Sequence, residues 1–94
     1  MNEPMTPLNQ WPLAERARIR GVLTDIDDTL TTEGALTGDA RSALERLRAT
    51  GLQVFAITGR PAGWSEPFAL DWPIDAIVAE NGAVALWRQP DGRL

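Results

Sequence analysis

The sequence predicts an α/β fold, a parallel sheet joined by a right-handed strand–helix–strand crossover, and three observations predict it. The apolar run "GVLTD", Gly21 to Asp25, is stopped abruptly by polar residues, the pattern of a short buried strand in a parallel sheet. A helical repeat follows, with Ala40, Ala43, Leu44 and Leu47 at helical spacing. A second apolar run, "LQVFAI" from Leu52 to Ile57, comes next, and this order closes as a right-handed crossover between parallel strands.

Taken in order, residues 1–20 read as an N-terminal extension and residues 21–94 as the folded core. Residues 1–10 form a loose tail, and "WPLAERARIR" predicts a short helix from near Pro12, with Leu13, Ala17 and Ile19 on one side, serving as a packing arm. After the first strand, Thr37 or Asp39 caps a helix of about three turns, and Gly51 stands where a left-handed C-cap residue is wanted. "TGRPAG" breaks the second strand, and "WSEPFALDW" reads as a short helix or turn cluster, with Pro67 accommodated in a first turn after Ser65. A third strand lies around Ala76–Ala79 and ends at a polar turn. Alternation from Ala83 to Trp87, then Pro90-Asp91-Gly92, predicts the first arm of a β-hairpin whose return arm holds only Arg93 and Leu94. The architecture is therefore Rossmann-like, with an incomplete hairpin at its end. Trp11, Trp64, Trp72 and Trp87 are read as packing residues.

Ninety-four residues make one small domain, and a chain of this size buries only roughly two-thirds of the surface it exposes when unfolded. Its 44% apolar and 23% charged content is that of a soluble globular protein rather than a disordered one. The net charge of -4 is uneven: residues 1–20 carry two glutamates against three arginines, so the core is the acidic part. An acidic core argues against nucleic acid as a partner. The chain has no Cys, His, Lys or Tyr, which excludes disulfides, Cys/His zinc sites, Ser-His-Asp and Cys-His systems, Schiff-base lysines and the P-loop lysine. Carboxylates, hydroxyls, arginine and backbone amides remain. The N-terminus lacks the apolar stretch of a secretory signal, and no run approaches the ~20 residues of a membrane span, so the cytoplasm is the expected location.

The stretch "VLTDIDDTLTT" places Asp25, Asp27 and Asp28 within four residues at the end of the first strand. In open parallel sheets, ligands bind beyond the carboxyl ends of the strands. Alternation aims Asp25 and Asp27 toward one side, and two such charges need a counter-charge. With Arg60 the one cation in a matching position, a divalent ion is the candidate, and paired hard oxygens favour Mg²⁺. Such an ion draws phosphate oxygens, to which Thr29 and Thr58 can donate hydrogen bonds. A carboxylate can then attack phosphorus. Asp28 is expected to be a solvated neighbour, and Asn81-Gly82 a turn.

These residues carry a resemblance. "VLTDIDDTL" is similar to the first motif of the haloacid dehalogenase superfamily, an apolar strand followed by D-x-D-x-T, and "VFAITGR" resembles its second, a strand ending in Thr or Ser. The "TGR" and the later "ENGA" resemble the branch with an α/β cap, the Cof-type or IIB hydrolases, which includes sugar-phosphate phosphatases. The motifs run in order from Gly21 to about Trp87. The resemblance implies a Mg²⁺-dependent phosphohydrolase of small phosphorylated metabolites, sugar phosphates by analogy. Asp25 would be the nucleophile that forms an aspartyl-phosphate and a metal ligand. Asp27 would be the general acid and then base, with its backbone carbonyl on the metal. Thr58 would hold the transferring phosphoryl group, and Gly59, Arg60 and Asn81 lie in motifs that face the site.

The sequence also departs from the family. The third motif's Lys has no counterpart, and after Glu80 the one acidic residue is Asp91, so the later metal ligands have none either. The match is to the first half of the core, without the cap or the second half, as in a truncated reading frame, a fragment or a split gene. An unfinished sheet edge predicts self-association or pairing with a complementing chain. Two other readings stand beside the phosphatase: a non-catalytic module that binds Mg²⁺ and phosphate or serves assembly, and a receiver-like phosphoacceptor domain. The last fits poorly, because Ala79-Glu80 occupies the third-strand exit where a receiver places its phosphoacceptor Asp.

Overall fold

The computed structural model describes residues 4–94; Met1 to Glu3, the start of the expected N-terminal extension, lie outside the described residues. The extension holds a 3₁₀ turn, Leu8–Gln10, and one turn of helix, α1 (Leu13–Arg16), beginning after Pro12 as expected. Strand β1 spans Gly21–Asp25, and a two-stranded hairpin, β2 (Thr31–Thr32) with β3 (Ala35–Leu36), follows it. Helix α2 runs from Gly38 to Ala49, capped by Thr37, whose Oγ1 accepts from the Ala40 N–H at 3.3 Å. Gly51 takes a φ of 91°, the left-handed conformation its place after the helix requires.

The second half consists of β4 (Gln53–Ile57), α3 (Ala62–Asp71), β5 (Ala76–Ala79) and β6 (Val84–Trp87). The sheet order is β1-β4-β5-β6, with the first three strands parallel and β6 antiparallel to β5. Two successive right-handed crossovers step in the same direction, from β1 to β4 and from β4 to β5. They therefore lay α2 and α3 on one face of the sheet. The core is sealed on that face: Leu44 of α2 and Ala69 of α3 pack with Val54, Ala56, Ile77 and Ala79, all buried, while Trp72 and Ile74 close it behind α3.

The other face has no helical layer among the described residues. Leu23, Phe55, Ala76 and Trp87 are register partners in one row across the four strands, and Leu23 and Trp87 are 67% and 58% exposed. The expectation of a buried first strand is thus corrected. In this chain β1 is an edge strand with one covered face, because burying both would need a second layer.

Two further expectations change. Helix α3 begins at Ala62, so Pro67 lies inside it rather than in a first turn after Ser65. The reason is a cap from a distant element: Glu80 Oε2 accepts from the Ala62 N–H at 2.9 Å. The segment Ala83–Trp87 does not open a new hairpin but forms the return arm of one with β5, through a 3₁₀ turn at Glu80–Gly82. The Pro90–Gly92 turn exists, with the Gly92 N–H on Gln89 O at 2.9 Å, but no strand follows it.

Candidate active site

The carboxyl ends of the parallel strands lie side by side, with Asp25, Ile57 and Val78 in register. The residues that follow each strand are thereby brought to one rim of the sheet.

After β1 the chain turns tightly around one buried anchor. Ile26 is fully buried, and its carbonyl accepts from the N–H groups of Thr29, Leu30 and Thr31 and from the Thr31 hydroxyl. Winding the backbone about that oxygen pushes Asp27 and Asp28 outward. Asp28 takes a φ of 58°, a conformation that Asp tolerates better than most residues, and its N–H donates to the buried Thr31 Oγ1. Asp28 is exposed, as expected for a solvated neighbour. The Thr29 hydroxyl donates to Asp25 Oδ2 at 3.0 Å, so this predicted phosphate donor is engaged by the predicted nucleophile.

After β4, Thr58 is pinned. Its N–H donates to Val78 O at 2.9 Å, its Oγ1 accepts from the Arg60 N–H at 3.0 Å, and it is buried. Its hydroxyl proton has no acceptor among the described residues. The loop after β5 is stitched onto this one: the Asn81 N–H donates to Thr58 O, and the Glu80 N–H to Arg60 O. Asn81 adopts the left-handed turn conformation, with a φ of 55°. Its side chain lies so close over Gly59 that a Cβ there would fall 2.9 Å from Asn81 Oδ1. A glycine at 59 leaves room for the Asn81 side chain in this position.

Arg60 reaches back to the first loop. Its Nε donates to Asp27 Oδ2 at 3.2 Å and its Nη2 to Oδ1 at 3.4 Å, and the guanidinium carbon lies 5.0 Å from the centre of the Trp64 ring. Asp25, at the end of β1, and Asp27, Thr29, Thr58, Gly59, Arg60 and Asn81, in the loops, therefore all lie at this rim. Sequence reasoning missed two of the residues that organise it. Glu80 anchors both the Arg60 carbonyl and the first turn of α3, and Trp64, which packs against the core as read, also lies under Arg60. The one available signal for Trp64 was its spacing four residues from Arg60, which means little before the helix start is known.

The donor set is all oxygen, which suits a hard cation. Among the described residues no group of three or more His, Cys, Asp or Glu gathers to hold a metal. Two carboxylates at a strand end, with no nitrogen or sulfur ligand near, do not suit zinc. They suit Mg²⁺, which keeps several waters and shares its shell with substrate phosphate oxygens.

The sequence matches the haloacid dehalogenase-like hydrolase family over residues 22–94. No curated protein matches it. Among solved structures, the chain is similar to a phosphatase of the haloalkanoate (HAD) enzyme superfamily from Bacteroides thetaiotaomicron, with a TM-score of 0.65 and 24% identity, covering 98% of this chain and 32% of that one. It is also similar to a HAD subclass IIB sugar phosphatase, with a TM-score of 0.59 and 29% identity over 72% of this chain and 28% of that one. A hypothetical protein from Geobacillus kaustophilus aligns with a TM-score of 0.62 and 32% identity over 77% of this chain and 31% of that one. The chain spans about a third of the length of these structures.

Proposed function

We propose that this chain, which belongs to the haloacid dehalogenase-like hydrolases, carries the nucleophile-bearing part of a Mg²⁺-dependent phosphatase acting on small phosphorylated metabolites. The observation that supports this most is the meeting of three strand-end loops, in which Arg60 contacts Asp27 while backbone hydrogen bonds from Asn81 to Thr58 and from Glu80 to Arg60 tie the second and third loops together. Phosphoryl transfer needs this kind of convergence, because most of its catalysis is positioning and charge stabilisation.

In this account Asp25 attacks phosphorus, an Asp25 oxygen–phosphorus bond forms, and the ester oxygen leaves with a proton from Asp27, carried on Oδ1 once the longer Arg60 bond to that oxygen has turned to the phosphoryl group. Asp27 then takes a proton from water as the water oxygen attacks the same phosphorus, releasing inorganic phosphate and restoring Asp25. The Thr58 hydroxyl and Arg60 hold phosphoryl oxygens, and Thr29 holds the Asp25 carboxylate in place. Mg²⁺, held by the Asp25 carboxylate and by Asp27, would offset the repulsion between nucleophile and phosphate. Residues 21–94 form the catalytic core and residues 1–20 an extension to it. The IIB sugar phosphatase among the similar structures makes sugar phosphates the first substrates to try. No helix among the described residues is long and apolar enough to cross a membrane. The proposed substrates, small phosphorylated metabolites, make the cytoplasm the proposed compartment.

The test is Mg²⁺-dependent release of inorganic phosphate from a panel of hexose phosphates by the native protein that carries this sequence. Release that is lost in Asp25→Asn supports the proposal, and no release from any ester contradicts it. A second reading, suggested by the exposed Leu23 and Trp87 on the uncovered sheet face, is a module that binds Mg²⁺ and phosphate without turnover and pairs through that face with another copy or a complementing chain. Binding without release would favour it.

A further inference from the structure

We propose that Trp64 is a positioning residue of the phosphate site: it holds the Arg60 guanidinium so that one arginine spans Asp27 and the phosphoryl group. The inference rests on the phosphate-site reading above and adds to it a residue outside the motifs.

Arg60 is constrained at every part of its length. Its N–H donates to Thr58 Oγ1, its carbonyl accepts from the Glu80 N–H, two of its guanidinium N–H groups go to Asp27, and the guanidinium carbon sits 5.0 Å from the Trp64 ring centre. A guanidinium has five N–H donors, and a cation–π contact engages its delocalised charge rather than those donors. The Asp27 pair uses two, which leaves three for an anion. A long, half-exposed arginine would otherwise lose much rotamer freedom on binding phosphate. The indole takes that cost in advance.

Trp64 is itself held. Its ring meets Phe68 edge-on at 4.8 Å, and Phe68 stacks on Trp72 at 4.6 Å, with Trp72 buried to 3% exposure. The spacing 64, 68, 72 puts the three rings along one side of α3 and its end, a ladder from the core to the site. Trp64, half-buried, also packs against the core cluster. The ladder's last ring lies at the rim, under the one arginine of the loop cluster.

The experiment is an NMR titration of the native protein that carries this sequence with inorganic phosphate in the presence of Mg²⁺, following the arginine Nε–Hε signals in wild type, Trp64→Phe and Trp64→Leu. In wild type the Arg60 Hε signal is expected to be shifted by the indole ring current and to move as phosphate is added. Trp64→Leu should lose the ring shift and bind phosphate about two- to fivefold more weakly, the scale of an exposed cation–π contact. Trp64→Phe should keep part of the shift and bind within about twofold of wild type. Unchanged affinity in Trp64→Leu with the backbone spectrum intact overturns the positioning role and leaves the phosphate site standing. An unshifted Arg60 signal in wild type also overturns it, whatever the variants do. Absence of phosphate binding by wild type overturns both this inference and the site it rests on.

Discussion

Arg60 and Asp27, from loops that leave different strands, meet through two hydrogen bonds of 3.2 and 3.4 Å. Both side chains are well exposed, 54% and 41%, so solvent screens the pair and its share of stability is about 0–1 kcal/mol. Asp27→Asn should therefore melt close to wild type while phosphatase activity falls by ~10²–10⁴, the usual scale of a lost general acid–base. Parallel melting curves and phosphate-release assays check this. A melt lowered as severely as the activity would make Asp27 a structural residue.

Gly59→Ala should weaken phosphate binding more than it weakens the fold. The new Cβ would lie 2.9 Å from Asn81 Oδ1, and the Asn81 side chain must swing away. The expected cost is about 1 kcal/mol, at the low end for overpacking, since a single side chain yields rather than the backbone. Calorimetric melting and phosphate titration on the same variant separate the two effects.

The two faces of the sheet should answer mutation oppositely. Ile77 is fully buried among the helices, and Ile77→Ala should cost ~2–5 kcal/mol, enough to unfold much of so small a domain. Leu23 is 67% exposed on the uncovered face, and Leu23→Glu should leave the melting point nearly unchanged while reducing self-association. Sedimentation velocity over a concentration series tests the second half. Equal sedimentation of wild type and Leu23→Glu at all concentrations would mean that this face does not mediate association.

At the start of α2, Thr37→Ala should cost about 1 kcal/mol, through loss of the bond from the Ala40 N–H. The Thr37 hydroxyl first, and the Ala40 N–H next, hold the Asp39 carboxyl below its ordinary value of 3.8. Because the folded value is the lower one, the stabilisation is fully present above that ordinary value and is lost as pH falls through the folded value. Asp39→Asn should flatten this small acid-side loss, which melting measured between neutral pH and about pH 3 would reveal.

The strands and helices of the crossover were legible because their signals are local. The run Val54–Ile57, the cap at Thr37 and the glycine at 51 each declare themselves within a few residues. What was not legible depends on partners far along the chain. The start of α3 is set by Glu80, eighteen residues after Ala62, and the pairing of β6 with β5 depends on a left-handed turn that Asn81-Gly82 announces but that begins one residue earlier, at Glu80, a residue type that does not. The exposure of Leu23 follows from both crossovers stepping the same way, which hydropathy along one strand does not encode. Within the site, the motif spacing pointed to the residues that gather, whereas the support of Arg60 by Trp64 depends on where a helix begins.

The central claim is that Asp25 forms a covalent bond to phosphorus. Its most direct test is acid quenching of the native protein during turnover of a phosphate ester with Mg²⁺, followed by peptide mass mapping. The account predicts one phosphoryl group on the peptide that contains Asp25, absent in Asp25→Asn. A protein that releases phosphate with no phosphoryl group on that peptide, or with the group on another residue, would contradict it.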